Sequence, residues 1–143
     1  CIMAGSSEEC KEEWMPTDPR DTGWTVLATD ANGYSDLIQF NGLHAQTFRF
    51  GAVKATTTEI WFEEAIDNDT TNCQKVFYDD SAGTTDRLKI TVPTGEAANG
   101  FTVKVDPAKY GGLNWVRIQL TDGTSAVQQD AAVAVSIGCR DYR

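Results

Sequence analysis

Hydrophobic positions along this chain recur every second residue in short bursts, and each burst ends near a Gly, Asn or Asp. In RLKITV (87–92), Leu88, Ile90 and Val92 fall on one side, with Arg87, Lys89 and Thr91 on the other. WVRIQL sets Val116, Ile118 and Leu120 against polar neighbours, and FTVKV does the same with Phe101, Val103 and Val105. A period of two with one polar side predicts sheets that are covered on one face. Nine strands are expected, at 24–29, 35–40, 46–51, 58–64, 74–79, 87–92, 100–105, 114–120 and 131–137. Asn32-Gly33, Asn41-Gly42, Asn99-Gly100 and Asp122-Gly123 between them supply the positive φ that tight turns need. One helical turn is expected in DPAKYGG (106–112), with Pro107 at its entry and Gly111 at its exit. The pattern implies an all-β chain: an antiparallel β-sandwich of about 8–9 strands, jelly-roll or immunoglobulin-like, over 24–143.

Residues 1–23 break the pattern. They carry Gly5, Ser6, Ser7, Pro16, Pro19 and a dense acidic content, and no apolar period persists. EECKEEWM (8–15) has the makings of a helical turn or two, which Pro16 would stop. This segment reads as an extended N-terminal arm. Stretched out, it spans about 75 Å at ~3.3 Å per residue, against a radius of gyration near ~14 Å for the domain. Such an arm reaches well past its own domain. Met3 followed by AGSSEE has the texture of a natural start, with Cys1 and Ile2 as a remainder. Removal of a preceding segment, or a lipid-bearing Cys1, are the alternatives.

Charge and length narrow the function classes. The chain has 143 residues, of which 21 are acidic and 12 are Lys or Arg, for a net charge of −9. That balance argues against the nucleic-acid backbone and against an anionic membrane surface. No apolar run approaches the ~20 residues of a membrane-spanning helix. A core of this size needs no disulfide to exist.

Catalytic and metal chemistry find little to work with. The single histidine, His44, lies in the turn NGLHAQ, and no GxSxG elbow is present. The cysteine spacings contain no CxxC and no second histidine accompanies them, which excludes ordinary zinc patterns. Glu63, Glu64, Asp67, Asp69, Asp79 and Asp80 crowd one region, as calcium sites do, but the glycine and terminal glutamate of the EF-hand loop are missing. A solvated acidic loop explains them as well. Asn68-Asp69-Thr70 is a formal glycosylation sequon. The expectation is a non-enzyme with no cofactor and no metal.

Aromatic residues offer a different surface. Trp14, Trp24, Trp61 and Trp115, with Tyr34, Tyr78, Tyr110 and Tyr142, are candidates to line a carbohydrate groove. In TEIWFEE, Ile60 and Phe62 share one side, while Trp61 shares the other with Glu59 and Glu63. Trp61 therefore either stacks on a ligand or neighbour, or is covered by adjacent side chains. Trp14 is the corresponding candidate on the arm.

Four cysteines allow three intramolecular pairings. Closing Cys1 to Cys10 would constrain the arm only. Cys73 lies in the acidic loop and Cys139 directly after the last expected strand. Both are expected near the surface, as a further disulfide, with free buried cysteines as the equal alternative. A cysteine on an arm is placed to meet another chain, so Cys1 and Cys10 are candidates for an intersubunit disulfide.

Several stretches between Asp36 and Ile137 carry a family resemblance. They are DLIQFNGLHAQTFRFG, TEIWFEE, KVFYDDSAGT, LKITVPTG, VKVDPAKYGGLNWVRIQLTDGTSA and AVQQDAAVAVSI. The pattern resembles small β-sandwich proteins encoded among the head and virion genes of tailed bacteriophages. The resemblance implies a structural part of the particle that decorates or cements the capsid exterior. Neck, collar and tail are the nearest variant locations. Its partners would be the major capsid protein, other virion proteins and copies of itself, with no nucleic acid and no membrane. The alternative is an extracellular carbohydrate-binding β-sandwich module, whose ligand would be a glycan such as one on a host surface.

Overall fold

The computed structural model describes residues 23–26, 31–42, 44–79, 83, 85–129 and 135–141. The arm proper, with Cys1, Cys10 and Trp14, lies outside the described residues. So do Asp80 and Tyr142.

Alternating segments become strands because each offers one apolar side to a shared core. They are β1 (Gly23–Val26), β2 (Ile38–Gln39), β3 (Ala45–Phe50), β4 (Glu59–Ala65), β5 (Gln74–Lys75) and β6 (Phe77–Asp79). Then follow β7 (Thr85–Arg87), β8 (Lys89–Thr91), β9 (Phe101–Lys104), β10 (Trp115–Thr121) and β11 (Val135–Asp141). Single turns of 3-10 helix occur at Thr70–Asn72 and Ala97–Asn99. The one described α-helix, α1, is the four-residue turn Pro107–Tyr110. Asp106 caps it by accepting a 3.0 Å hydrogen bond from the Ala108 N–H, and Pro107 opens it. The chain is all-β, and its described sheets are antiparallel.

One sheet has the order β1-β11-β3-β9. The other runs β2-β10-β4, and the far edge of β4 pairs with β8 along Glu59–Trp61 and with β5 at Glu63 and Glu64. Successive strands cross from one sheet to the other at almost every step, the exception being β4 through β8. Between β5 and β8 the chain leaves the sheet as a small hairpin, β6 paired with β7. It departs at the level of Phe62. There the Phe62 N–H donates to Leu88 O, while the Val76 N–H donates to Phe62 O. The Leu88 N–H closes the stem on Val76 O at 2.8 Å.

Both larger sheets contribute to one apolar cluster. Phe48 of β3 packs edge-on against Phe62 of β4 with ring centroids 5.4 Å apart. Phe40, Phe50 and Tyr110 complete the ring contacts around it. The inner sets expected from alternation behave accordingly. Leu88, Ile90, Val92, Val116, Ile118 and Leu120 are buried, while Phe101, Val103 and Val105 are partly buried at the sheet's edge.

The turn glycines take the expected geometry. Gly33, Gly42, Gly100 and Gly123 all have positive φ, and Asn41 joins Gly42 there with φ 52°. Strand boundaries differ most at four of the expected strands. The expected strand at 35–40 shortens to Ile38–Gln39. The expected strands at 74–79 and 87–92 each split, at Val76 and Leu88, because the hairpin diverts them. The last strand is described over Val135–Asp141, so it runs past the expected end at 137, while 131–134 lie outside the described residues. Cys139 is consequently inside β11, buried and in register with Phe48, rather than exposed after the strand.

Candidate functional site

Among the described residues, the polar side of β4 and β10 gathers a set of side chains linked by hydrogen bonds and ion pairs. Register sets Arg117 beside Glu63 and Gln119 beside Trp61, and β8 adds Lys89 next to Trp61. An isolated bridge brings Tyr34 alongside Gln119. Alternation directs these residues away from the apolar cluster.

Glu63 is the hub. Although it lies on the outer side, it is only 4% exposed. Its Oε1 accepts from Arg117 Nε at 3.0 Å and Nη2 at 2.8 Å. Its Oε2 accepts from the Tyr34 hydroxyl at 3.1 Å and lies 3.5 Å from Arg87 Nη2. The two guanidiniums also sit over rings. The Arg117 carbon is 3.7 Å from the Tyr34 centroid, and that of Arg87 is 5.0 Å from the Trp61 centroid. Guanidinium stacking and carboxylate pairing together link these side chains into one plate. Burial pushes the Arg87 pKa down, with Glu63 and Tyr34 opposing it. Burial, then the charge of Glu63 and its hydrogen bond, push the Tyr34 hydroxyl up.

Glu59 forms a second node. It accepts from the Trp61 indole N–H at 2.8 Å and from Lys89 Nζ at 3.2 Å. The indole bond holds its carboxyl below the usual range, against some desolvation, with help from Lys89. Beside this plate the β6–β7 hairpin presents Phe77, 54% exposed and in register with Arg87. Tyr78 turns toward α1, where Lys109 Nζ lies 4.8 Å from its ring centroid.

The residues singled out from sequence are thus sorted by their surroundings. Trp61 is half-buried, and Arg87 covers its ring. Trp115 is half-buried on β10, Tyr110 belongs to the core, and Trp24 lies in β1. No disulfide joins Cys73 to Cys139. Cys139 sits within the β1-β11-β3-β9 sheet, whereas Cys73 precedes β5 at the edge of the other. His44 is exposed beside α1, and a Cβ at Gly111 would run into its Nδ1.

The acidic region resolves into separate structural bonds. Asp69 caps the Thr70–Asn72 turn through the Thr71 N–H at 2.9 Å, and Asp67 accepts from Asn72. Glu64 holds Asn114, and Glu63 holds the arginines. Among the described residues, no three His, Cys, Asp or Glu side chains converge on a metal-sized space. No helix among them is long and apolar enough to cross a membrane.

Sequence reasoning missed Arg87, Arg117 and Phe77. Alternation marks the two arginines as outward-facing, but their meeting at Glu63 depends on which strands pair. Phe77 carried a strand-like signal that hid its exposure. Comparison with family models, with curated proteins and with solved structures found no match.

Proposed function

We propose that the two larger sheets form a jelly-roll sandwich and that the chain is a non-enzymatic structural protein of a tailed-phage virion. In this reading it decorates or cements the capsid exterior. The strand order carries the reading. If β5 through β8 count as one interrupted strand position, eight positions remain, ordered 1-8-3-6 in one sheet and 2-7-4-5 in the other. That is the double-sheet arrangement found in viral capsid and lectin domains. The Glu63 plate and the exposed Phe77 support docking to protein, because interface centres are rich in aromatics and arginine. The acidic balance of the chain supports protein partners over nucleic acid or membrane.

The domain spans 24–143 in this proposal and the arm spans 1–23, with the join falling at the start of β1. The arm bridges to the major capsid protein or to other copies. Cys1 or Cys10 locks that bridge as an intersubunit disulfide. Mass spectrometry of purified particles tests the reading, with the chain expected at a symmetric, high copy number. Its absence from particles refutes it. Non-reducing electrophoresis of the same particles tests the lock, and only monomer with all thiols titratable would exclude it.

The carbohydrate-binding alternative rests on the same fold class and on the partial exposure of Trp61. The Arg87 stack over that ring weighs against it. Glycan-array binding that disappears in Trp61→Ala would favour the alternative.

A further inference from the structure

We propose that the Arg87–Phe77 corner of the plate receives the acidic run EECKEEWM, residues 8–15, of a second copy of this chain. The inference rests on the arm-bridging reading above and names the surface the arm would meet.

Three observations converge on this corner. First, the buried cluster is short of negative charge. Among the described residues, Arg87 and Arg117 face one carboxylate, Glu63, and Arg117 takes both of its Glu63 bonds at 3.0 Å or less. Second, Arg87 is underused. Its ion pair at 3.5 Å and its bond to Phe62 O at 3.4 Å are both long, and both come from Nη2. Its Nε is buried with no hydrogen-bond partner. A guanidinium has five N–H donors and prefers to meet a carboxylate in a two-point fork. Among the described residues, the hairpin's carboxylates, Asp79 and Asp86, stand in register with Thr85 and Tyr78, not with Arg87. Third, Phe77 lies in register with Arg87 and is 54% exposed, so a large apolar side chain adjoins the unsatisfied cation.

The complementary occupant must therefore carry carboxylates next to a large apolar side chain. EECKEEWM provides Glu8, Glu9, Glu12 and Glu13, with Trp14 and Met15 adjacent. In the proposed contact a carboxylate of Glu12 or Glu13 meets the accessible edge of the Arg87 guanidinium, whose side chain is 14% exposed, and Trp14 packs on Phe77. Glu13 and Gly23 are ten positions apart, a reach of about 33 Å at ~3.3 Å each. That is enough to cross to a neighbouring subunit.

Sedimentation velocity of the full chain under reducing conditions tests this, with the thiols kept reduced so that disulfides cannot contribute. Concentration-dependent association is expected. It should weaken at least about tenfold in Glu12→Gln/Glu13→Gln and in Phe77→Ser, equivalent to ~1.4 kcal/mol. Raising the salt should weaken it as well. A synthetic peptide of residues 7–16 should dissociate the assembly, and the same peptide with Gln at every Glu should not. Arg87→Gln should act like Phe77→Ser, and the peptide competition decides the matter if that variant does not fold. A chain that stays monomeric at all concentrations overturns the proposal. So does association that is indifferent to the Glu12/Glu13 change, or a Gln-substituted peptide that competes equally well. Each of these outcomes leaves the presence of the chain in particles to be settled by its own measurement.

Discussion

Glu63 ties two strands and a turn together through three side chains, so its loss should be felt far from β4. Replacing it with Gln leaves two largely buried guanidiniums without a counter-charge. Glu63→Gln is expected to cost about 3–5 kcal/mol, as for other broken buried pairs, read from urea denaturation. Lys89→Ala, on an ion pair whose lysine is 41% exposed, should stay within about 1 kcal/mol. Tyr110 makes a different case. Its hydroxyl donates to Lys89 O at 2.6 Å, and burial raises its pKa to about 12. The folded state therefore favours the neutral phenol. That stabilisation is complete below the unfolded value near ~10 and is lost as pH rises toward the folded value. Ultraviolet titration should show late-ionising tyrosine absorbance, and Tyr110→Phe should remove the share that titrates toward about 12. At this scale the sequence marked Glu63 as outward-facing and could go no further. Alternation assigns a side but not the neighbours that bury it.

Among the elements, the turns were the most legible and the edge hairpin the least. Gly33 has φ +77°, and a Cβ there would sit 2.7 Å from Leu120 O. Gly95 has φ +80° with nothing within 4 Å. Gly95→Ala should therefore cost only the backbone strain, about 1–2 kcal/mol. Gly33→Ala should cost clearly more, because the clash is with backbone that cannot rotate away. Thermal melts separate the two, since each ~1 kcal/mol shifts the midpoint by roughly 2–4 °C at this size. Asn-Gly announces such turns because few other pairs tolerate positive φ. The split of 74–79 and 87–92 had no such marker. Alternation runs straight through Val76 and Leu88, and the diversion arises where both stretches meet the backbone of Phe62.

For the whole molecule, stability should fall on both sides of neutrality. Glu59, Asp69 and Asp122 are all held below their ordinary carboxyl values. For Glu59 the first cause is the Trp61 indole N–H, for Asp69 the Thr71 N–H, and for Asp122 the Ser125 N–H. Their contribution is present above the unfolded values near ~4 and is lost as pH falls through the lower folded ones. The melting temperature should decline below about pH 4, and Asp122→Asn should flatten that decline. A pH series of melts checks both. By itself, the sequence determined the all-β character, the inner side of most strands, the turn positions and the helical turn at Pro107–Tyr110. Each of these follows from side-chain period or local backbone chemistry. Tertiary structure alone decided the strand order, the burial of Cys139, the projection of the hairpin and the gathering of Tyr34, Arg87 and Arg117 around Glu63. Those depend on which distant strands hydrogen-bond and in what register, and a period of two reads the same for every candidate partner.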